Sequence, residues 1–263
     1  MTRLPEIVKG KDLDPNGTLR WAPAGCSIAA MVLNRRLFTK LAVGATVALG
    51  LWQGPPQLRA QSRFDAEVQR MLDADKTNPP PQRGILFIGS SIFRLWTGLK
   101  EQMAPLPAFN RAFGGSQTQD MIDRVGQLVT PFQPRIIVYY CGSNDVSAGA
   151  TADAIIGRTK QFLAIVREKL PNTTVYYTAI QKAPEKRERW DVVDAVNREM
   201  ERFSHEAKNL GYIDLNPVLF KGGALREDRF RDDKLHFKPE STAYAEFTAV
   251  VKPVLTKAWE KAK

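Results

Sequence analysis

From residue 61 onward the chain alternates short β-branched, apolar runs with longer amphipathic segments, and no repeat or low-complexity stretch interrupts the alternation. This rhythm constrains the fold more than any single motif, because parallel strands can be joined only by long crossovers, usually helices. The candidate strands are Ile85–Ile88, Asn110–Phe113, Arg135–Tyr140, Thr174–Ile180 and Tyr212–Leu215. The candidate helices are Arg63–Ala74, Thr118–Val129, Ala152–Leu170, Trp190–Asn209 and a last one from Glu240 to about Ala262. In the third helix Ile155, Phe162, Ile165, Val166 and Leu170 recur at helical spacing, which marks a core-facing side. Gly211, beyond Asn209-Leu210, supplies a stop for the fourth. Five strands without an intervening linker predict one α/β domain over residues 61–263, a parallel sheet with helices on both faces.

Composition agrees with a globular body: 43% of the 263 residues are hydrophobic and 25% charged, which excludes disordered, collagenous and disulfide-scaffold classes. The formal charge of +10 is unevenly placed. Residues 1–60 hold eight basic and three acidic residues, which leaves 30 basic and 25 acidic in 61–263. That residual charge gives no argument for a nucleic-acid partner.

The first sixty residues read as an address. Met31 to Ala60 runs from a basic start through an apolar stretch, Leu41–Trp52, to a Pro-containing segment ending Leu58-Arg59-Ala60, the order of a secretory signal. The apolar stretch has 12 residues, short of the ~20 a spanning helix needs, so no stable membrane span is expected. Just before it, Asn34-Arg35-Arg36-Leu37-Phe38-Thr39-Lys40 resembles a twin-arginine export signal, with a general secretory signal as the alternative. Either predicts a protein that meets the export machinery and works in the periplasm or outside the cell. Met31 stands where a natural start belongs, so residues 1–30 form an upstream extension. Cleavage after Ala60 leaves Cys141 as the only cysteine, and no intrachain disulfide is then possible.

In sheets of this kind ligands bind beyond the carboxyl ends of the strands. Gly89-Ser90-Ser91 follows the first candidate strand, Gly114-Gly115-Ser116-Gln117-Thr118 the second, and Cys141-Gly142-Ser143-Asn144-Asp145 the third. Asp232-Asp233-Lys234-Leu235-His236 stands before the last helix. A serine nucleophile needs an adjacent base, usually a histidine oriented by a third group. Of the two histidines, His205 lies among charges in a helical segment and reads as solvated surface. His236 has Asp233 three residues earlier, a spacing that lets one carboxylate reach Nδ1 and leaves Nε2 free to take a proton. Gly115 and Asn144 lie in Gly-bearing turns that can present N–H donors to a developing oxyanion. Taken singly, these glycines also read as ordinary turn residues and Asn144 as a helix cap.

The set Gly89-Ser90-Ser91, Asn110 with Gly115, Gly142-Ser143-Asn144-Asp145, and Asp233-Lys234-Leu235-His236 resembles the four sequence blocks of the SGNH (GDSL-type) hydrolases, in the family's order across residues 85–240. It is most similar to bacterial lipase/acylhydrolase members related to platelet-activating-factor acetylhydrolase. The resemblance implies a flavodoxin-like three-layer sandwich around a five-stranded parallel sheet. It also implies Ser91 as nucleophile, Asp233 and His236 as orienter and base, Gly115 and Asn144 as oxyanion donors with the Ser91 N–H, and no metal or organic cofactor. In the family an Asp usually precedes the nucleophile. Here Ser90 takes that place, so two adjacent serines compete, and block alignment selects Ser91.

No Gly-x-Ser-x-Gly elbow, dinucleotide or phosphate loop, or His/Cys cluster for zinc offers a rival chemistry. The expected function is a secreted serine esterase acting on a small-molecule, carbohydrate or lipid ester, with short acyl chains favoured because no lid insertion is evident. An acyltransferase and a non-hydrolytic carbohydrate-binding protein are the alternatives on the same scaffold. Phe93, Trp96 and Arg187–Trp190 are candidates for the entrance or for packing. Arg229, Arg231, Lys234 and Lys238 predict a basic rim, read either as a site for an acidic or phosphate-bearing substrate or as a solvated charge run.

Overall fold

The structure, a computed structural model, describes residues 62–261. The expected upstream extension and export signal fall in residues 1–60, outside the described residues. Described in chain order, the main elements are helix α1 (Asp65–Thr77), strand β1 (Ile85–Gly89), helices α2 (Ser91–Arg94) and α3 (Leu99–Met103), strand β2 (Ala108–Asn110), helix α4 (Thr118–Leu128) and strand β3 (Ile136–Tyr140). Helices α5 (Ser143–Ser147) and α6 (Ala152–Lys169), strand β4 (Thr174–Thr178), helix α7 (Trp190–Glu206) and strand β5 (Leu210–Ile213) follow. A two-stranded ribbon, β6 (Phe220–Lys221) with β7 (Ala224–Leu225), precedes the closing helix α8 (Ala243–Lys261).

The five long-range strands pair in the order β2-β1-β3-β4-β5, and every pairing is parallel. Because successive strand residues face opposite ways, β1 and β3 feed two cores at once. Leu86, Ile88, Ile137 and Tyr139 pack with Val125 of α4, Phe162 of α6 and Val196 of α7. Ile85, Phe87, Ile136 and Val138 face Phe93 of α2, Leu99 of α3 and Phe247 and Val251 of α8. The result is the expected three-layer sandwich. The strand order reverses at β1, where β2 lies on one side and the chain then crosses to β3 on the other, the point at which sheets of this kind form a ligand crevice beyond their carboxyl ends.

Several expected boundaries shift. Strand β2 ends at Asn110, where 110–113 was expected, because the Asn110 side chain turns back to serve the backbone: Nδ2 donates to the Phe93 carbonyl (2.6 Å) and Oδ1 accepts from the Ala112 N–H (2.9 Å). The chain still runs beside β1, with Arg111 and Phe113 donating to the Phe87 and Gly89 carbonyls (2.8 and 3.0 Å). Strand β5 pairs with β4 from Leu210 to Ile213, two residues earlier than expected. Helix α8 starts at Ala243, after Pro239 and a turn closed by the Ser241 N–H on the Lys238 carbonyl (3.0 Å). Periodicity in the sequence does not reveal the β6–β7 ribbon, whose turn uses Gly222 and Gly223 at positive φ. Among the described residues no helix is long and apolar enough to cross a membrane.

Candidate active site

The crevice is shaped first by the close approach of β1 and β3. A Cβ at Gly89 (φ +145°) would lie 1.8 Å from the Tyr140 carbonyl oxygen, so only glycine allows the strand to end there. Ser90 follows in an extended conformation, its N–H donating to that same carbonyl (3.0 Å), and α2 begins at Ser91. The turn separates the two adjacent serines. The Ser90 hydroxyl is buried with no hydrogen-bond partner among the described residues, whereas Ser91 is brought to the mouth of the crevice. As the first residue of a helix, Ser91 presents a backbone N–H that has no intrahelical acceptor.

Across the crevice, residues 231–237 form a tight loop tied at several points. Phe230 and Phe237 meet in an antiparallel bridge, the Arg231 N–H donates to the His236 carbonyl (2.8 Å), and Lys234 adopts a left-handed conformation. From below, Gln181 Nε2 donates to the Leu235 carbonyl (2.9 Å) and the Glu185 N–H to the Lys234 carbonyl (3.0 Å). Asp233 Oδ1 accepts from the N–H groups of Leu235 and His236, both at 2.9 Å. Its Oδ2 stands 2.7 Å from His236 Nδ1, and His236 Nε2 stands 2.8 Å from Ser91 Oγ. Partial burial pushes the Asp233 carboxyl up, but the hydrogen bonds from His236 and Leu235 outweigh it and bring it down to about 2. An ionised carboxylate there holds the ring proton on Nδ1 and leaves the Nε2 lone pair facing the serine.

The second and third loops meet at the end of β1, where the Ser116 hydroxyl donates to the Gly89 carbonyl (3.2 Å). Gly115 has φ +74° and no atom within 4 Å of where its Cβ would lie, so the turn is open on that side. Half-buried Asn144 sits in the first turn of α5 rather than capping it, and its Nδ2 donates to the Ser116 carbonyl (2.8 Å). An amide nitrogen carries two hydrogens, so one remains for a ligand. Asp145, fully buried, accepts from the Thr118 N–H and hydroxyl and from Arg158, and so locks the two loops together.

All five sequence-chosen residues, Ser91, Gly115, Asn144, Asp233 and His236, therefore lie on the loops around the mouth. Other expectations change. Arg229 does not belong to the rim: it is buried and ion-paired with Glu246. Phe93 and Trp96 do not line the entrance, since both are buried in the core under α2, where they pack with Phe87, Tyr140 and Phe247. His205 is exposed on α7 and Cys141 is buried, as expected. Sequence reasoning quoted Asp145 without giving it a task, and it missed Gln181, which braces the catalytic loop, and Arg63, whose Nη2 donates to the Gly115 carbonyl (3.0 Å). Their parts depend on contacts between distant segments that leave no local pattern.

A doubly wound parallel sheet thus carries a hydrogen-bonded Ser–His–Asp chain at its switch point, the arrangement a serine-based hydrolase needs. The chain belongs to the GDSL-like lipase/acylhydrolase family, whose sequence profile matches residues 88–243. No protein of curated function matches it. Among solved structures it is similar to a proposed acylhydrolase from Bacteroides fragilis, with 16% identity and a TM-score of 0.63 over 74% of this chain and 99% of that one. A GDSL-like lipase from Bacteroides thetaiotaomicron gives 19% identity and a TM-score of 0.61 over 73% and 98%. A carbohydrate esterase family 3 structure from Talaromyces cellulolyticus gives 19% and 0.56 over 67% and 98%. At these identities the likeness speaks for the fold, and the family carries ester hydrolysis in general.

Proposed function

We propose that the protein is an exported serine esterase that cleaves short-chain carboxylic esters through an acyl-enzyme on Ser91. The observation that carries this reading is the continuous chain from Ser91 Oγ to His236 Nε2 (2.8 Å) and from His236 Nδ1 to Asp233 Oδ2 (2.7 Å). As Ser91 Oγ attacks the ester carbonyl carbon, His236 Nε2 takes its proton, and the ionised Asp233 stabilises the imidazolium. The carbonyl oxygen becomes an oxyanion that accepts from the Ser91 and Gly115 N–H groups and from Asn144 Nδ2. His236 returns the proton to the departing alkoxide, and the alcohol leaves behind an acyl ester on Ser91. Water then attacks that ester with His236 as base. Collapse of the second intermediate releases the carboxylic acid and restores the serine.

The preference for short chains rests on the sequence of 61–263, which shows no evident lid insertion or long apolar segment. Export rests on the Met31–Ala60 pattern alone. The test is hydrolysis of p-nitrophenyl acetate, butyrate and octanoate by the wild type, Ser91→Ala, His236→Ala and Ser90→Ala. The expected result is loss of about 10³-fold or more in the first two variants, retention in Ser90→Ala, and acetate or butyrate ahead of octanoate. Activity that survives Ser91→Ala, or folded wild type that releases no acid from any ester, overturns the reading.

A further inference from the structure

Most of the cations that reach the interior or the helix packing of this fold are matched by carboxylates: Arg111 by Asp75, Arg124 by Asp65, Arg158 by Asp145 and Arg229 by Glu246. The mouth of the active site is different. Arg94, exposed on α2 one turn beyond Ser91, has no hydrogen bond or ion pair among the described residues. Its position is nevertheless defined. The guanidinium lies across Gly114, with Nε 2.7 Å and Cζ 3.2 Å from where a Cβ there would be, so the absence of a side chain at 114 is what admits it beside the Gly115 turn. Residues three apart on a helix share a face, so Arg94 projects on the side of Ser91.

On the opposite lip Arg231 uses Nε for the Phe237 carbonyl (2.8 Å) and has no carboxylate partner among the described residues. Arg94 and Arg231 both lie near the Tyr244 hydroxyl, whose titration burial pushes up and these two charges pull back. Lys234 and Lys238 add further charge to that lip, beside exposed Asp232 and Glu240. The Asp233 carboxylate is engaged by His236, and Ser90 stands where relatives usually carry an acid.

We infer that the esters this site takes carry an anionic group, a carboxylate or a phosphate, on the alcohol half, and that Arg94 binds it across the Gly114 turn. An exposed guanidinium with a free planar fork suits either anion. The alcohol half is the part concerned because a short acyl group leaves no chain to reach it. This rests on the esterase reading above and narrows its substrate class.

The experiment compares three acetates with one acyl group and similar leaving groups: neutral phenyl acetate, 4-acetoxybenzoate and 4-acetoxyphenyl phosphate. They are run with the wild type, Arg94→Gln and Arg94→Lys, each checked for native circular dichroism. At low ionic strength the wild type is expected to favour at least one anionic acetate over phenyl acetate by about tenfold or more in kcat/KM, and which one identifies the anion. The preference shrinks in 0.5 M NaCl, falls towards one in Arg94→Gln and is partly kept in Arg94→Lys. A wild type that cleaves phenyl acetate without such a preference, or a preference unchanged in Arg94→Gln, overturns the inference while leaving the esterase intact. If even phenyl acetate is not cleaved, the esterase reading itself fails and takes this one with it.

Discussion

The carboxylate of Asp145 closes on both the backbone N–H (3.0 Å) and the hydroxyl (2.6 Å) of Thr118, across 27 residues of sequence. This contact joins the start of α4, just past the Gly115 turn, to the first turn of α5, which carries Asn144. Charge-assisted bonds buried in this way are strong when complete, and removing one partner strands the others. Asp145→Ala is therefore expected to cost about 3 kcal/mol in denaturant unfolding. Turnover should also drop in protein that is still folded, because the two loops lose their common anchor. Unfolding midpoints within error of the wild type would refute this.

Asn144 offers a cleaner separation of roles. Its Nδ2 makes one bond to the Ser116 carbonyl, so Asn144→Ala should lower stability by only about 1 kcal/mol. If the second amide hydrogen serves the oxyanion, kcat falls about 10²–10³-fold while KM changes little. Steady-state kinetics on p-nitrophenyl acetate give the split, and a rise in KM with kcat unchanged would assign the residue to ground-state binding instead.

Gly89 tests the architecture under the site. With φ at +145° and a Cβ position 1.8 Å from the Tyr140 oxygen, Gly89→Ala must push β1 from β3 at the point where Ser91 is presented. We expect a loss of more than about 3 kcal/mol, or insoluble protein, against a near-neutral Gly126→Ala, where nothing lies within 4 Å of the added carbon. Thermal melts of the two variants side by side decide it.

The acid side of the stability profile follows from Asp233, whose carboxyl is held down to about 2 by its hydrogen bonds despite partial burial. A carboxyl depressed in the folded state adds stability that is present above its unfolded value of about 4 and is lost as pH falls through its folded value. The difference in melting temperature between wild type and Asp233→Asn should therefore be largest above pH 4 and close between pH 4 and 2. A difference that stays constant across that window would show that the carboxylate is not what the loop uses.

Much of this is legible in the sequence itself. The alternation of strand and helix is written locally, because each amphipathic segment states its own period, and it determined a parallel sheet with helices on both sides. The turn residues after β1, β2 and β3, and the Asp233–His236 spacing, determined which chemistry can gather at one end of that sheet. Local periodicity says nothing about contacts between distant segments. Ser91 and His236 are 145 positions apart, and block alignment could favour Ser91 over Ser90 without a physical reason; the tertiary structure supplies it, since the turn buries Ser90 and sets Ser91 against His236. The tertiary structure likewise took Arg229 out of the rim by pairing it with Glu246, ended β2 at Asn110 through that residue's own side chain, and left Arg94 unpaired beside Gly114. A residue's type sets what it can do; its burial and its partners, which depend on the whole chain, decide which of those things it does.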